Sequence, residues 1–234
     1  MIKAILFDLD GTLLPMDQDV FVKDYLDRMA SFLAPFGYDS QLLVKAIWAG
    51  TGAMVKNDGK TKNEEVFWHI FNSVLGRDAR QDENLFAEFY ETAFQQSRVS
   101  CGFRPEAAEI IREIRNSGYR IILATNPLFP AIATFSRIKW AGLNPEDFEL
   151  ITTYENSHFC KPNPDYYREI LGKLSLNGDE CLMVGNDVGE DMVAGQVGMQ
   201  TFLLSDCLIN RNGEDISRYP NGSFSELLHF IRSL

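Results

Sequence analysis

Beyond residue 102 the sequence alternates between helix patterns and short apolar runs, and this alternation restricts the fold more than any other feature. Residues 105–116 have the periodicity of an amphipathic helix, Gly118 is a typical helix end, and residues 119–124 form a run typical of a buried strand. Repeated alternation of this kind predicts a parallel sheet with right-handed crossovers and helices on both faces. Further strands are predicted at 148–152, 181–184 and 201–204, and further helices at 130–140, 165–174, 191–197 and 224–234.

The first strand of this sheet is predicted at residues 2–7, a short β-favouring apolar run that stops at Asp8. Between residues 17 and 100 no comparable strand pattern occurs, and the patterns there are those of aromatic-rich amphipathic helices separated by turn signals. We therefore expect a doubly wound, Rossmann-like α/β core built from residues 1–16 and 101–234. An all-helical cap domain, residues 17–100, is expected to be inserted after the first strand. Cap helices are predicted at 20–33, 42–49, 64–75 and 85–94.

Composition and charge exclude several classes of protein. The chain is 45% hydrophobic and 24% charged, which is typical of a globular protein. Its formal net charge of -11 opposes binding to a phosphate backbone, so a small molecule is favoured over nucleic acid as the partner. The N-terminal apolar run is too short for a signal peptide, and no stretch approaches the roughly 18 apolar residues of a membrane span. We expect a cytoplasmic protein without a membrane partner, and nothing indicates its oligomeric state.

Four groups of polar side chains lie just after predicted strands or in the loops that follow those strands. Because the carboxyl ends of parallel strands lie along one edge of a sheet, we expect these side chains to converge there. Crowded carboxylates repel each other and are costly to desolvate, so a cation is expected among them. The converging groups are Asp8 with Asp10, Thr125 with Asn126, Lys161, and Asn186 and Asp187 with Asp191.

Four of these segments resemble the motifs of the haloacid dehalogenase-like (HAD) superfamily and occur in that family's order. The run Asp-Leu-Asp-Gly-Thr-Leu at 8–13 is similar to its first motif, and Thr125 after an apolar strand is similar to its second. Lys161, in Lys-Pro-Asn-Pro, resembles the third motif, and the acidic segment 185–191 resembles the fourth. The helical insertion resembles the family's variable cap only in position and helicity, so the resemblance assigns no role to any cap residue.

The resemblance implies a phosphatase that hydrolyses a small phosphorylated metabolite through an aspartyl-phosphate intermediate. Asp8 is the expected nucleophile, and Asp10 is the expected general acid and base. Lys161, Thr125 and Asn126 are expected to bind the phosphoryl oxygens. The chemistry itself asks for such groups, because a carboxylate can attack a negatively charged phosphoryl group only if cations offset the repulsion between them.

Mg²⁺ is the expected cofactor, because it prefers oxygen ligands in near-octahedral geometry and keeps several bound waters. The predicted metal ligands are Asp8, Asp10 through its main-chain carbonyl, and an acid of the fourth motif. Here the chain has Gly-Asn-Asp, whereas the family commonly has Gly-Asp, so either Asn186 or Asp187 can be aligned with the metal ligand.

We favour Asp187 as the ligand, because a hard divalent cation gains more from a carboxylate than from an amide. Asp191 lies four residues further on, so on a helix it would share a face with Asp187 and could orient a metal-bound water. Together with Asn186 and Thr12, Asp191 is expected to support the residues that touch the metal and the substrate.

Other chemistries on the same core remain alternatives. A phosphomutase would return the phosphoryl group to a sugar, and a phosphonate hydrolase would need a cap lysine that forms a Schiff base. A haloacid dehalogenase is disfavoured because such enzymes typically lack an acid at the position of Asp10. A binding module without activity is disfavoured because all four motif positions hold competent residue types. The candidate cap lysines for a phosphonate hydrolase are Lys56, Lys60 and Lys62.

The predicted cap is rich in large aromatic side chains. Helical spacing is satisfied by packing alone, so most of them are expected to form the core of the cap. The cap is also expected to recognise the leaving group of the substrate, whose identity the sequence does not indicate. The set comprises Trp48, Phe67, Trp68, His69, Phe71, Phe86, Phe89, Tyr90 and Phe94.

Overall fold

The computed structural model describes all 234 residues and contains one six-stranded sheet in which every pair of neighbouring strands is parallel. The strand order is β3-β2-β1-β4-β5-β6, which confirms the predicted doubly wound α/β core. The strands are β1 Ala4–Phe7, β2 Arg120–Leu123, β3 Leu150–Ile151, β4 Cys181–Gly185, β5 Gln200–Leu204 and β6 Asn221–Gly222. The helices are α1 Gln18–Leu33, α2 Ser40–Val55, α3 Asn63–Leu75, α4 Glu83–Glu91, α5 Pro105–Asn116, α6 Ala131–Trp140, α7 Pro164–Leu174 and α8 Phe224–Ile231.

Strand β1 lies in the middle of the sheet, between β2 and β4. Ile5 and Phe7 point into one apolar core, to which α5, α6 and α8 also contribute, whereas Ala4 and Leu6 point into a second core that includes α7. All four side chains are fully buried. The continuous apolar run in the sequence therefore has its origin in a strand that is covered on both faces.

The segment between β1 and α5 contains α1 to α4 joined by turns and short 3₁₀ helices, and it contains no strand. Asp17 begins α1 by accepting hydrogen bonds from the N–H groups of Asp19 and Val20, which otherwise have no partner within the helix. Most of the aromatic side chains of this segment are buried, although Trp48 is 54% exposed. None of the eight α-helices is both long enough and apolar enough to cross a membrane.

Two chain segments connect the helical insertion to the sheet, and they run side by side. Met16 and Cys101 form an antiparallel bridge, and the Gly102 N–H donates a hydrogen bond of 2.7 Å to the Pro15 carbonyl. These contacts lie where the sequence predicts the boundaries of the cap. The division into core residues 1–16 and 101–234 and cap residues 17–100 itself stays a prediction.

The structure differs from the sequence prediction at several elements, and helix α2, predicted at 42–49, runs from Ser40 to Val55. Strand β6 was not expected, because Asn221–Gly222 contains no apolar run. The helix predicted at 191–197 is a 3₁₀ helix, Met192–Val197. The helix predicted at 85–94 ends at Glu91, since Thr92 leaves the helical region with φ of -118° and ψ of -85°, and a 3₁₀ helix, Ala93–Ser100, follows.

Candidate active site

The predicted site residues lie together at the carboxyl edge of the sheet. Asp8 follows β1, Thr125 follows β2 and Asn186 with Asp187 follows β4, and these three strands are neighbours. Lys161 is supplied by the loop between β3 and α7. Their burial is unusual for polar groups and indicates that most of them have hydrogen-bond partners within the protein. Those that are buried are Asp8, Thr12, Thr125, Lys161, Asn186, Asp187 and Asp191.

Lys161 is the buried cation among these carboxylates. Its Nζ lies 2.8 Å from Asp8 Oδ1 and 2.6 Å from Asp191 Oδ1. Burial disfavours the charged ammonium, but the carboxylates of Asp191 and Asp8 outweigh burial and hold the pKa of Lys161 well above its usual value. Lys161 is therefore protonated at neutral pH and joins the first motif to the fourth.

The fourth motif folds back on its own carboxylates. Asp191 Oδ2 accepts the Asp187 N–H at 3.0 Å, and Asp187 Oδ1 accepts the N–H groups of Gly189 at 2.8 Å and Glu190 at 3.1 Å. A Cβ atom at Gly185 would lie 2.0 Å from Asp191 Oδ2, so only glycine permits this close approach. Burial raises the pKa of Asp191, while Lys161 opposes that rise.

Asn186 braces the first motif against the loop after β5. Its Oδ1 accepts the Thr12 hydroxyl at 2.9 Å, and its Nδ2 donates to the Cys207 carbonyl at 2.7 Å. Gly11 has a φ of 85°, and a Cβ atom there would lie 2.3 Å from Asn186 Nδ2. Both ends of the Asn186 amide therefore have partners within the protein, and the supporting role of this residue stays a prediction.

Asp10 has a partner that the sequence analysis missed. Arg137, on α6, is fully buried and forms an ion pair with Asp10 Oδ2, and its guanidinium lies 4.3 Å from the centre of the Phe129 ring. Asp10 Oδ1 is buried without a hydrogen-bond partner. Burial raises the pKa of Asp10, and Arg137 opposes that rise. The available signal was a charged residue on the apolar face of α6, between the buried positions Ala133 and Trp140.

The second motif is held by hydrogen bonds to its main chain and to Asn126. The Thr125 carbonyl accepts the hydroxyls of Tyr166 at 2.9 Å and Thr152 at 2.6 Å. Asn126 Nδ2 donates to Glu190 Oε2 at 3.0 Å, and Asn126 Oδ1 accepts the Lys161 N–H at 3.2 Å. Asn126 therefore joins the second, third and fourth motifs within the protein, and its contact with substrate stays a prediction.

Several oxygens at this edge have no protein partner and could bind a metal ion. Asp8 and Asp187 each use only Oδ1 in hydrogen bonds, and the Asp10 carbonyl accepts no main-chain hydrogen bond. No group of three or more His, Cys, Asp or Glu side chains is arranged to hold a metal. Mg²⁺ commonly uses only one or two carboxylates and completes its shell with water, so this donor set fits Mg²⁺.

A cavity of about 420 Å³ lies between helices α1 to α4 and the segments that follow β2 and β3. Helices α1 to α4 form one wall, and the segment 128–132 after β2 forms part of the other, together with Tyr154 and Glu155. Lys56, Lys60 and Lys62 are all exposed and do not line the cavity.

Comparison with known proteins gives the family. A family profile described as haloacid dehalogenase-like hydrolase matches residues 2–198. The chain belongs to the haloacid dehalogenase-like hydrolases. The pyrophosphatase PpaX of Bacillus cereus is 25% identical over 205 residues, which are 87% of this chain and 83% of that protein. A phosphoglycolate phosphatase of Colwellia psychrerythraea is 24% identical over 234 residues, which are 99% of this chain and 96% of that protein.

Family membership and these phosphatase-named relatives confirm the predicted phosphohydrolase. Among solved structures, the HAD-hydrolase YfnB of Bacillus subtilis, bound to magnesium, superposes with a TM-score of 0.59 over 99% of each chain at 17% identity. At that identity the similarity shows only that the two proteins share a fold. The shared fold extends over nearly the whole of both chains.

Proposed function

We propose that this HAD hydrolase is a magnesium-dependent phosphatase that hydrolyses a small phosphorylated metabolite through an aspartyl-phosphate on Asp8. The observation that carries the proposal is the pairing of Asp8 with Lys161 at 2.8 Å, both buried at the carboxyl end of the central strand. A carboxylate beside a buried cation is held in place and can receive a negatively charged phosphoryl group.

In the first step of the proposed reaction, a carboxylate oxygen of Asp8 forms a bond to phosphorus as the bond to the leaving oxygen breaks. Asp10 donates its proton to that leaving oxygen. Arg137 holds the Asp10 carboxyl through Oδ2, which leaves the unpartnered Oδ1 to carry the transferred proton. The raised pKa of Asp10 favours the protonated form that this step uses.

In the second step, Asp10 takes a proton from water as the water oxygen attacks phosphorus and the bond to Asp8 breaks. Lys161 and the Thr125 hydroxyl, assisted by Asn126, hold the phosphoryl oxygens through both steps. Both steps gain from donors that are already fixed in the protein before the substrate arrives.

The carboxylates of Asp8 and Asp187 and the main-chain carbonyl of Asp10 would hold the metal ion. When bound, Mg²⁺ would offset the negative charge shared by the nucleophile and the phosphoryl group. Asn186 and Thr12 hold the first motif against the fourth, and Asp191 positions both Lys161 and the Asp187 main chain.

The exposure of the three cap lysines argues against a phosphonate hydrolase, because a Schiff-base lysine would have to reach the substrate. The presence of Asp10 argues against a haloacid dehalogenase. A phosphomutase would differ in the acceptor of the phosphoryl group, so the products of the reaction separate it from the proposed phosphatase.

The test combines turnover with detection of the intermediate. Wild-type protein and the Asp8→Asn variant are assayed for phosphate release from a panel of phosphomonoesters with Mg²⁺ and after chelation. Acid-quenched enzyme is digested, and mass spectrometry of the peptide that contains Asp8 tests for an added phosphoryl group. We expect the wild type to release phosphate only with Mg²⁺ and to carry the modified peptide.

Asp8→Asn should show neither phosphate release nor the modified peptide, while the exposed control Asp19→Asn should match the wild type. Activity of Asp8→Asn above about a thousandth of wild type would contradict the assignment of Asp8. Transfer of phosphate to an alcohol instead of water would identify a phosphomutase.

A further inference from the structure

The cavity between cap and core has walls of one chemical kind. Of its 21 lining residues, 17 are hydrophobic, and many are aromatic side chains from α1 to α4. Its volume of about 420 Å³ is large enough for a small organic group. Trp48 is 54% exposed although it lines the cavity, so an aromatic surface is presented where the cavity meets solvent. These walls favour an apolar occupant.

The charges around the cavity exclude an anionic occupant. Its only charged lining residues are Glu83 and Glu155, and no Lys, Arg or His takes part. Glu155 Oε1 accepts the Ala131 N–H at 2.8 Å, but Oε2 is buried and has no hydrogen-bond partner. An anion placed here would lose its hydration and meet only like charges. A neutral or positively charged group avoids that cost.

The cavity is close to the reacting groups. Phe129 lines it, and the ring of Phe129 also supports the guanidinium of Arg137, which pairs with Asp10. Leu128, another lining residue, follows the predicted phosphate-binding residue Asn126 by two positions. The cavity is therefore connected to Asp10 through Phe129 and Arg137, and it begins two residues beyond Asn126.

From these observations we infer that the cavity binds the leaving group of the substrate, and that this group is a bulky apolar alcohol, aromatic or branched, without negative charge. The assignment as a leaving-group site rests on the phosphatase proposed above. It separates this chain from the substrates named for two of its relatives, because the leaving groups of pyrophosphate and phosphoglycolate, which are phosphate and glycolate, are both anions.

Binding of three probes with one skeleton tests the chemistry of the cavity without any reaction. 2-Phenylethanol, 2-phenylethylamine and phenylacetate are neutral, cationic and anionic, and each is titrated into the wild-type protein by calorimetry. We expect the alcohol and the amine to bind at least about tenfold more tightly than phenylacetate. Equal binding of the anion, or no binding of any probe, would overturn the inference.

A pair of neighbouring variants on α4 locates the binding. Ala87 lines the cavity, so Ala87→Phe should fill part of it and weaken binding of the alcohol at least about tenfold. Glu88 is exposed and lies outside the lining, so Glu88→Phe should bind as the wild type does. Equal loss in both variants would contradict the location. The comparison of probes uses wild-type protein and therefore does not depend on the folding of either variant.

Hydrolysis then separates the two proposals. We expect kcat/KM for 2-phenylethyl phosphate to exceed those for phosphoglycolate and pyrophosphate by at least about tenfold. A preference for either anionic substrate would refute the inference while leaving a phosphatase in place. Selective binding of the probes without hydrolysis of any ester would refute the proposed phosphatase, whereas the apolar, anion-excluding character of the cavity would be supported.

Discussion

Replacement of Arg137 by methionine removes a buried cation while keeping an unbranched side chain in the same place. Arg137 has no exposed side-chain surface, and its partner Asp10 keeps 18%. Removal of one member of a buried ion pair costs about 3–5 kcal/mol, and the residual exposure of Asp10 places this pair at the lower end. A loss of about 3 kcal/mol corresponds to a Tm lower by about 6–12 °C in a chain of this size.

The size of this loss should depend on pH. Burial already raises the pKa of Asp10 above its usual value of 3.8, and Arg137 is the strongest opposing influence, so the variant should have a still higher pKa. Below the folded pKa of wild type, the carboxyl is protonated in both folded proteins, and Arg137→Met then costs only packing. Between that pKa and the higher folded pKa of the variant, only wild type gains the charged pair. The destabilisation relative to wild type therefore grows as the pH rises through this range and is constant above it.

Urea unfolding of wild type and Arg137→Met at about pH 4 and pH 8 measures this difference. Arg120→Met is the matched control, because Arg120 pairs with Glu149 at 2.6 Å but both side chains are partly exposed. The control should lose no more than about 1 kcal/mol. An equal loss of stability for Arg137→Met at both pH values would refute the electrostatic explanation and leave only a packing role.

The remaining predictions concern activity. Asp10→Asn should lower the rate by about two to four orders of magnitude, least for good leaving groups, and an equal loss for nitrophenyl and alkyl phosphates would contradict its role as an acid. Lys161→Ala should lower kcat/KM by about two to three orders of magnitude, because no other cation lies beside Asp8, and near-normal kinetics would rule this out. Asp187→Ala should raise the Mg²⁺ concentration for half-activity more than Asp191→Ala does, and Asn186→Ala should raise it least. If Asn186→Ala is the most damaging, Asn186 itself contacts the metal or the phosphate.

Elements of the fold were predictable where their own sequence determines them, and not where a distant part of the chain does. Strand β1 was evident from sequence because burial on both faces requires an unbroken apolar run, and the bounds of α5 agree with its prediction because Pro105 begins it and Gly118 follows its end. Strand β6 contains two residues and exists only because β5 offers a free edge. The local sequence around β6 does not indicate that β5 will pair with it.

The site shows the same division between local and long-range causes. Convergence of Asp8, Lys161 and Asp191 was predictable, because the carboxyl ends of parallel strands share an edge. Arg137 was missed, because its partner Asp10 is 127 positions away and helix periodicity does not indicate which charge will meet a buried guanidinium. The cavity was missed for a similar reason: the sequence indicates which side chains are apolar but not where their packing leaves a gap.

Phe129 contributes to both the cavity and the Asp10 ion pair, since its ring lines the cavity and also contacts the Arg137 guanidinium. A substitution of Phe129 that reshapes the cavity also removes the ring that contacts Arg137, the ion-pair partner of Asp10. Selection for a new leaving group at this position would therefore change the protonation behaviour of Asp10 at the same time. Thr51 on α2 and Ala87 on α4 line the cavity without contacting Arg137. Substitutions that change substrate specificity should therefore occur at such cap positions before they occur at Phe129.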